Sequence, residues 1–149
     1  MATTPAFAAT PKRGGCTWTN STTANTKNDG TGTIGTDILL AYTAGSSGAY
    51  IDRIRLHPTG STAATATTAT VGRIYFSTQA SGATTNANTR LWQEVACPAQ
   101  TTDQTTTATF AIEIPVGVRL AASDTVLFSM HHAAAANTAW EVIVFASDY

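Results

Sequence analysis

Apolar residues recur at every second position through most of the chain after residue 36. The segment 49–58 shows the pattern, because Ile54 and Leu56 alternate there with Arg53 and Arg55. Successive side chains of a β-strand point to opposite faces of a sheet, so this period predicts strands with one buried face. No segment carries apolar residues at helical spacing. The chain is therefore predicted to be all-β.

The alternation predicts seven or eight short strands. They are expected within 37–43, 49–58, 71–78, 90–98, 108–115, 125–132 and 138–149. Pro58 is expected to end the second of them, and Phe110 is expected to point inward with Ile112 and Ile114. Thr-, Gly- and Asn-rich loops, including 79–89, separate the strands. Short strands with such loops are typical of sandwiches, so we predict an antiparallel β-sandwich, jelly-roll-like, with an extended N-terminal arm.

The segment 138–149 differs from the other predicted strands. Trp140, Val142 and Val144 alternate there with Glu141, Ile143 and Phe145, so both sets contain large apolar residues. A strand with apolar residues on both sides is usually covered on both faces. We expect a cover on each face of this strand.

Residues 1–35 have their own composition. Pro, Gly, Thr and Asn predominate, and the isolated apolar anchors are Phe7, Cys16, Trp18 and Ile34. Such a segment buries too little apolar surface to fold alone, and it usually lies along a surface of its own subunit or of another. We predict an extended arm over 1–35 and a β-sandwich domain over 36–149, a division that 149 residues accommodate as a single core.

The charge pattern argues against two kinds of partner. Charged residues make up 11% of the chain and the formal net charge is −1, so no basic field is expected for nucleic acid or for a membrane surface. No apolar run approaches the length of a membrane span, and the N-terminus lacks the order of a secretory signal. We expect cytoplasmic synthesis, with Cys16 and Cys97 as free thiols in preference to a disulfide.

Chemistry-bearing residues are few. His131 and His132 are predicted to point to opposite faces of a strand, although His131 could converge with its copies on a three-fold axis. The carboxylates are expected to form surface ion pairs in preference to a glycosidase pair. The aromatic residues are expected in the core or at subunit interfaces in preference to sugar stacking. We expect no catalytic residue, no cofactor and no metal.

Several stretches together resemble a known group of proteins. They are "MATTPAFAATPK", "ANTKNDGTGTI", "AGSSGAYIDRIRL", "GRIYF", "LWQEV", "GVRLAASD" and an ending in Trp-x-Val followed by "SDY". Over most of its length the chain resembles small structural proteins of tailed bacteriophages, and within that group it is most similar to the capsid cement or decoration proteins. The resemblance implies a small β-rich protein, commonly a trimer, that binds the outside of an expanded head.

These observations lead to one functional expectation and one alternative. We expect a structural, non-enzymatic virion protein that joins adjacent major capsid subunits on the outer capsid surface, as a homotrimer assembled in the host cytoplasm. Phe7, Trp18 and Ile34 of the arm are the expected contact residues. The alternative is a tail, fibre or baseplate component that binds glycans through Trp92 or the loop 79–89.

Overall fold

The computed structural model describes residues 10–60, 65–103 and 108–149. These residues contain β-strands and no helix, which confirms the predicted all-β class. The strands are β1 Thr10–Thr19, β2 Gly32–Ile34, β3 Leu39–Thr43, β4 Ala49–Gly60, β5 Thr65–Ala66, β6 Thr70–Ser77, β7 Gly82–Thr84, β8 Thr89–Cys97, β9 Thr101–Thr102, β10 Ile112–Leu120, β11 Thr125–Met130 and β12 Thr138–Asp148.

The eight long strands form two four-stranded sheets packed face to face. The first sheet has the order β1-β12-β4-β10 and the second has the order β3-β11-β6-β8. Neighbouring strands in both sheets are antiparallel. Two small ladders, β2 with β7 and β5 with β9, lie outside them. The predicted antiparallel β-sandwich is confirmed.

The core lies between the two sheets and follows the predicted alternation. Ile54 and Leu56 of β4 are fully buried beside Trp140 of β12. Trp18 of β1 meets Phe128 of β11 edge to face, with ring centroids 6.2 Å apart. The inward apolar sets of both sheets therefore form one continuous cluster.

Pro58 does not end its strand as predicted. β4 continues to Gly60, and Pro58 stands opposite Trp140 of β12. The ladder of β4 with β10 ends at the pair Leu56 and Ile112, so none of the described strands pairs with Pro58 on that side. Its carbonyl accepts a hydrogen bond from Thr109 Oγ1 at 3.2 Å there. A missing N–H costs no ladder bond at such a place.

A bulge in β8 puts Leu91 and Val95 on different faces, although the two residues are four positions apart. The ladder with β6 skips Trp92, because Ile74 is opposite Gln93 and Tyr75 is opposite Leu91. One extra residue in a strand moves the following side chains to the other face. Leu91 is consequently exposed, whereas Trp92 packs against the core.

Phe110 is not inward as predicted. β10 begins only at Ile112, and the Phe110 side chain is 59% exposed. The side-chain amide of Gln100 holds the Phe110 backbone, donating from Nε2 to its carbonyl at 3.1 Å and accepting from its N–H at 2.9 Å. The buried Gln100 side chain thus binds the two backbone groups of Phe110 that a neighbouring strand could have bound.

The described part of the predicted arm is not separate from the sandwich. Residues 10–19 form β1, which pairs with β12 from Thr10 opposite Asp148 to Thr19 opposite Ala139. The period of two also holds in this stretch, since Cys16 and Trp18 point inward. The predicted boundary at residue 35 is therefore wrong for residues 10–19.

Candidate interaction surface

The structure separates the three predicted contact residues. Phe7 lies outside the described residues. Trp18 is fully buried in the core, so the prediction that it contacts another protein is wrong for the folded subunit. Ile34 is half-buried against a small second cluster formed by Ile38, Tyr75 and Leu127. Trp18 and Ile34 thus both pack within their own subunit.

Residues 20–36 lie against the outer face of the second sheet. The Asn25 N–H donates to the carbonyl of Met130, the last residue of β11, at 3.0 Å. β2 pairs with β7, which lies inside the predicted loop 79–89, so that segment is more than an exposed loop. The arm was expected to lie along its own subunit or along another. Residues 20–36 lie along their own subunit.

A buried arginine holds this segment in place. The Arg73 side chain of β6 is 7% exposed, and its Nε donates to Glu94 Oε1 at 2.8 Å. Its Nη1 donates to the Asn25 carbonyl at 2.8 Å, and its Nη2 lies 3.4 Å from His131 Nδ1. One guanidinium therefore joins β6, β8, the 20–36 segment and the end of β11.

Tyr75 makes a second connection on the same face. Its hydroxyl lies 3.2 Å from Ser129 Oγ and 3.4 Å from the Lys27 carbonyl. Burial raises the pKa of Tyr75 above its ordinary value. The phenol therefore stays neutral and can donate a hydrogen bond. Its contact with Lys27 shows that the chain itself covers this part of the second sheet.

The outer face of the first sheet is not covered by any of the described residues. Its side chains form three cross-strand rows over β1, β12 and β4, which we call the open face. The rows are Arg13–Phe145–Arg53, Gly15–Ile143–Arg55 and Thr17–Glu141–His57. In the described part of the chain these residues are all exposed or half-buried. The cover predicted for the outward side of β12 is therefore not supplied by the residues described.

Charge on the open face is partly balanced. Glu113 of β10 lies 3.5 Å from Arg53 and 3.4 Å from Arg55, and Arg53 also pairs with Asp52 at 2.8 Å. The Arg53 guanidinium stands over the Phe145 ring, 4.1 Å from its centroid. Such exposed pairs contribute little stability, so their arrangement matters more for recognition.

The histidines do not form a metal site in the described residues. β11 ends at Met130, so His131 and His132 are not on opposite faces of a strand as predicted. Their rings meet edge to face with centroids 4.7 Å apart. Among residues 10–60, 65–103 and 108–149, no three His, Cys, Asp or Glu side chains are placed to hold an ion.

The carboxylates are used as local partners. Asp148 accepts from the Tyr42 hydroxyl at 2.5 Å and lies 3.9 Å from Lys12 Nζ. Burial and the Asp148 carboxylate raise the pKa of Tyr42. Asp124 accepts from the Ala121 N–H. The ion pairs of Asp148, Glu94 and Glu113 agree with the predicted pairing of carboxylates, whereas the bonds from Tyr42 and from the Ala121 N–H were not predicted.

Both cysteines are free in the structure. Cys97 is 1% exposed, as predicted for a small buried residue at a strand end. Burial raises the pKa of Cys97 to about 11 and that of Cys16 to about 12. Neither thiol is poised as a nucleophile.

The described surface offers shallow depressions. One is bordered by Thr19, Asn20 and Thr59 at an end of the sandwich, and another by Phe145 with Pro11 and Arg13. Among the described residues no helix has the length and hydropathy to span a membrane. Geometry of this kind suits contact with a large partner better than enclosure of a small molecule.

Comparison with protein-family models, curated proteins and solved structures found no match to this chain.

Only part of the open face could be predicted from the sequence. The outward apolar residues of 138–149 signalled that β12 would have two covered faces. Nothing in the sequence showed that Arg13 would stand beside Phe145, because that neighbourhood depends on the pairing of β1 with β12. Period-two alternation within 10–19 was the signal that could have revealed β1.

Proposed function

We propose that the protein is a structural, non-enzymatic virion component: a cement or decoration protein that binds the outside of a phage head and joins adjacent major capsid subunits. The observation that carries the proposal is the contrast between the two outer faces of the sandwich. Residues 20–36 cover one of them, and no other described residues cover the open face of the first sheet, which is the surface we propose for a partner. The resemblance of the sequence to phage decoration proteins points the same way.

The strand order supports a jelly-roll relationship. Counting the eight long strands in chain order, the sheets read 1-8-3-6 and 2-7-4-5. Two interleaved Greek keys, a topology found in viral capsid domains, have strands arranged in this way. A rigid sandwich of this kind presents a fixed surface to a symmetric lattice.

The proposed contact region is smaller than the arm predicted from sequence. Trp18 belongs to the core, and Ile34 packs on its own subunit. Phe7 remains as the arm's contact residue, three positions before β1 at the border of the open face. Residues 1–9 and the adjoining part of that face together form the proposed capsid contact.

Binding across a boundary between capsid subunits requires no catalytic group. It adds free energy only to the assembled, expanded state, so mass action stabilises that state against the pressure of packaged DNA. A homotrimer would present three such contacts to the lattice at once. The effective concentration of the second and third contacts then raises the overall affinity.

The proposal is tested by binding purified protein to expanded heads that lack it. Phe7→Ala is expected to weaken binding about tenfold or more, because an apolar anchor at an interface centre commonly carries such a share of the energy. Thr4→Ala, in the same segment, serves as the matched control and should bind as the wild type does. Equal binding by the wild type and Phe7→Ala would refute the assigned contact, and no binding by the wild type would refute the cement function.

The alternative as a glycan-binding tail, fibre or baseplate component requires an aromatic face open to a sugar. The Trp92 ring packs instead at 5.6 Å, centroid to centroid, from Phe76 and against the core. β7 ties the loop 79–89 to β2. Retention on a glycan array without binding to heads is the result that would favour this alternative.

A further inference from the structure

We propose that the open face binds the open face of a second copy of this chain around a two-fold axis. The axis runs across the strands through the row Gly15–Ile143–Arg55. The inference does not rest on the capsid proposal, since it concerns the purified chain alone.

The main support for this pairing is a pair of opposite charges on the open face that have no ion-pair partner among the described residues. Arg13 and Glu141 are exposed on adjacent strands of the open face. Within the described residues neither of them forms an ion pair, whereas Arg53 and Arg55 of the same face share Glu113. The face therefore has one spare cation and one spare anion, which is the pattern of a surface that complements itself.

The strand register fixes where the two spare charges lie. Arg13 stands opposite Phe145, and Glu141 stands opposite Thr17, so each lies one row from Ile143, on opposite sides of it. A two-fold rotation through the Ile143 row exchanges the outer rows. It places Glu141 of each copy over Phe145 of the other, where Arg13 and Arg53 flank the ring.

This orientation balances both spare charges at once. A rotation about an axis parallel to the strands would keep Arg13 and Glu141 in separate rows and leave both unbalanced. On the chosen axis, Ile143 meets its own copy beside Gly15, which has no side chain to separate the sheets. Arg55 also meets its copy, with its charge already paired to Glu113 at 3.4 Å.

The size of the face determines the strength to expect. With β10 beside the three strands of the open face, the outer side of the first sheet has four strands about 4.8 Å apart and about nine residues long, and it presents about 500–600 Å² from each copy. The total of about 1,100 Å² falls at the small end of specific interfaces. The pairing should therefore be weak and reversible, with a dissociation constant in the micromolar range or above.

Sedimentation of the full chain from about 10 µM to about 1 mM tests the pairing. As the protein concentration rises, the mass of the sedimenting species is expected to approach twice its value at the lowest concentration. This holds whether the species at the lowest concentration is a monomer or a larger assembly. Arg13→Glu and Glu141→Arg should each weaken this step at least about tenfold, because each sets like charges together. The double variant R13E/E141R exchanges the two charges and should return to within about threefold of the wild type.

Lys27→Glu is the matched control, since it makes the same change of charge on the opposite side of the sandwich; it should pair like the wild type. Circular dichroism of each variant confirms that it is folded. The proposal is overturned if the wild type shows no doubling over this range. It is equally overturned if the single reversals pair normally, or if the double variant stays as weak as the folded single variants.

Discussion

Arg73 shows how one residue connects several parts of the molecule. Its guanidinium is buried and binds Glu94 and the Asn25 carbonyl, both at 2.8 Å. Arg73→Met should lower the free energy of unfolding by about 2–3 kcal/mol, because it leaves a carbonyl and a carboxylate without their donor. Urea unfolding followed by fluorescence measures this change.

Glu94→Gln is the matched comparison for Arg73. The Glu94 side chain is 43% exposed, so solvent screens its part of the ion pair. This change should cost about 1 kcal/mol or less. If Glu94→Gln destabilised the protein as much as Arg73→Met, the surface ion pair and not the bond to Asn25 would be the important contact.

The raised pKa values of the two buried thiols should make the folded state less stable at alkaline pH. Burial raises the pKa of Cys97 to about 11 and that of Cys16 to about 12, from 9.0. Between these values the folded state keeps protons that the unfolded chain loses, so stability is full below about pH 9 and falls as pH rises through the window. The raised pKa of Tyr42 acts in the same direction.

The melting temperature, measured from about pH 8 to about pH 11, should therefore fall. The variant carrying both Cys16→Ala and Cys97→Ala should show a smaller fall over the same range, although it is less stable at neutral pH. An unchanged slope in this variant would mean that the thiols are not the groups responsible.

The sandwich begins at β1, which follows the N-terminal segment and starts at Thr10. A chain that starts at Thr10 keeps β1 and the buried Trp18, and it should fold cooperatively with nearly unchanged stability. A chain that starts at Asn20 exposes the side of β12 and empties the Trp18 site. Loss of a large buried aromatic residue costs about 3–5 kcal/mol even without the lost strand.

Thermal unfolding of the two truncated chains distinguishes these cases. We expect a sharp transition near the wild-type temperature for the first chain and no cooperative transition for the second. Cooperative folding of the chain that starts at Asn20 would support the predicted division into an arm over 1–35 and a sandwich domain over 36–149.

Local alternation predicted those elements whose environment is set by their own side chains. β4 and β12 are examples, since Ile54 and Val144 lie in the core and Arg53 lies outside, as their spacing required. The class of the fold follows from such strands. The spacing of the apolar residues alone therefore suffices for the sandwich.

Features that depend on distant partners could not be predicted in this way. The bulge at Trp92 changes the face of Leu91 without changing the composition of β8. Phe110 is exposed because the amide of Gln100, ten residues earlier, binds its backbone. The spare charges of the open face likewise appear only when β1 is paired with β12.

At the scale of the whole molecule, the sandwich is asymmetric. Residues 20–36 close the second sheet, and the first sheet keeps a face with apolar and charged side chains. We proposed two partners for this side of the molecule: a capsid protein, near residues 1–9, and a second copy of the chain, over the rows through Ile143.

The cement function proposed above requires that a tailed phage encodes the chain, and electron cryo-microscopy of the virions of such a phage is the decisive experiment. We expect density for a small β-sandwich on the outer shell at regular positions between capsid subunits. The N-terminal residues that precede β1 should contact a neighbouring capsid protein there. Virions that carry the protein only at the tail, or lack it altogether, would contradict the account.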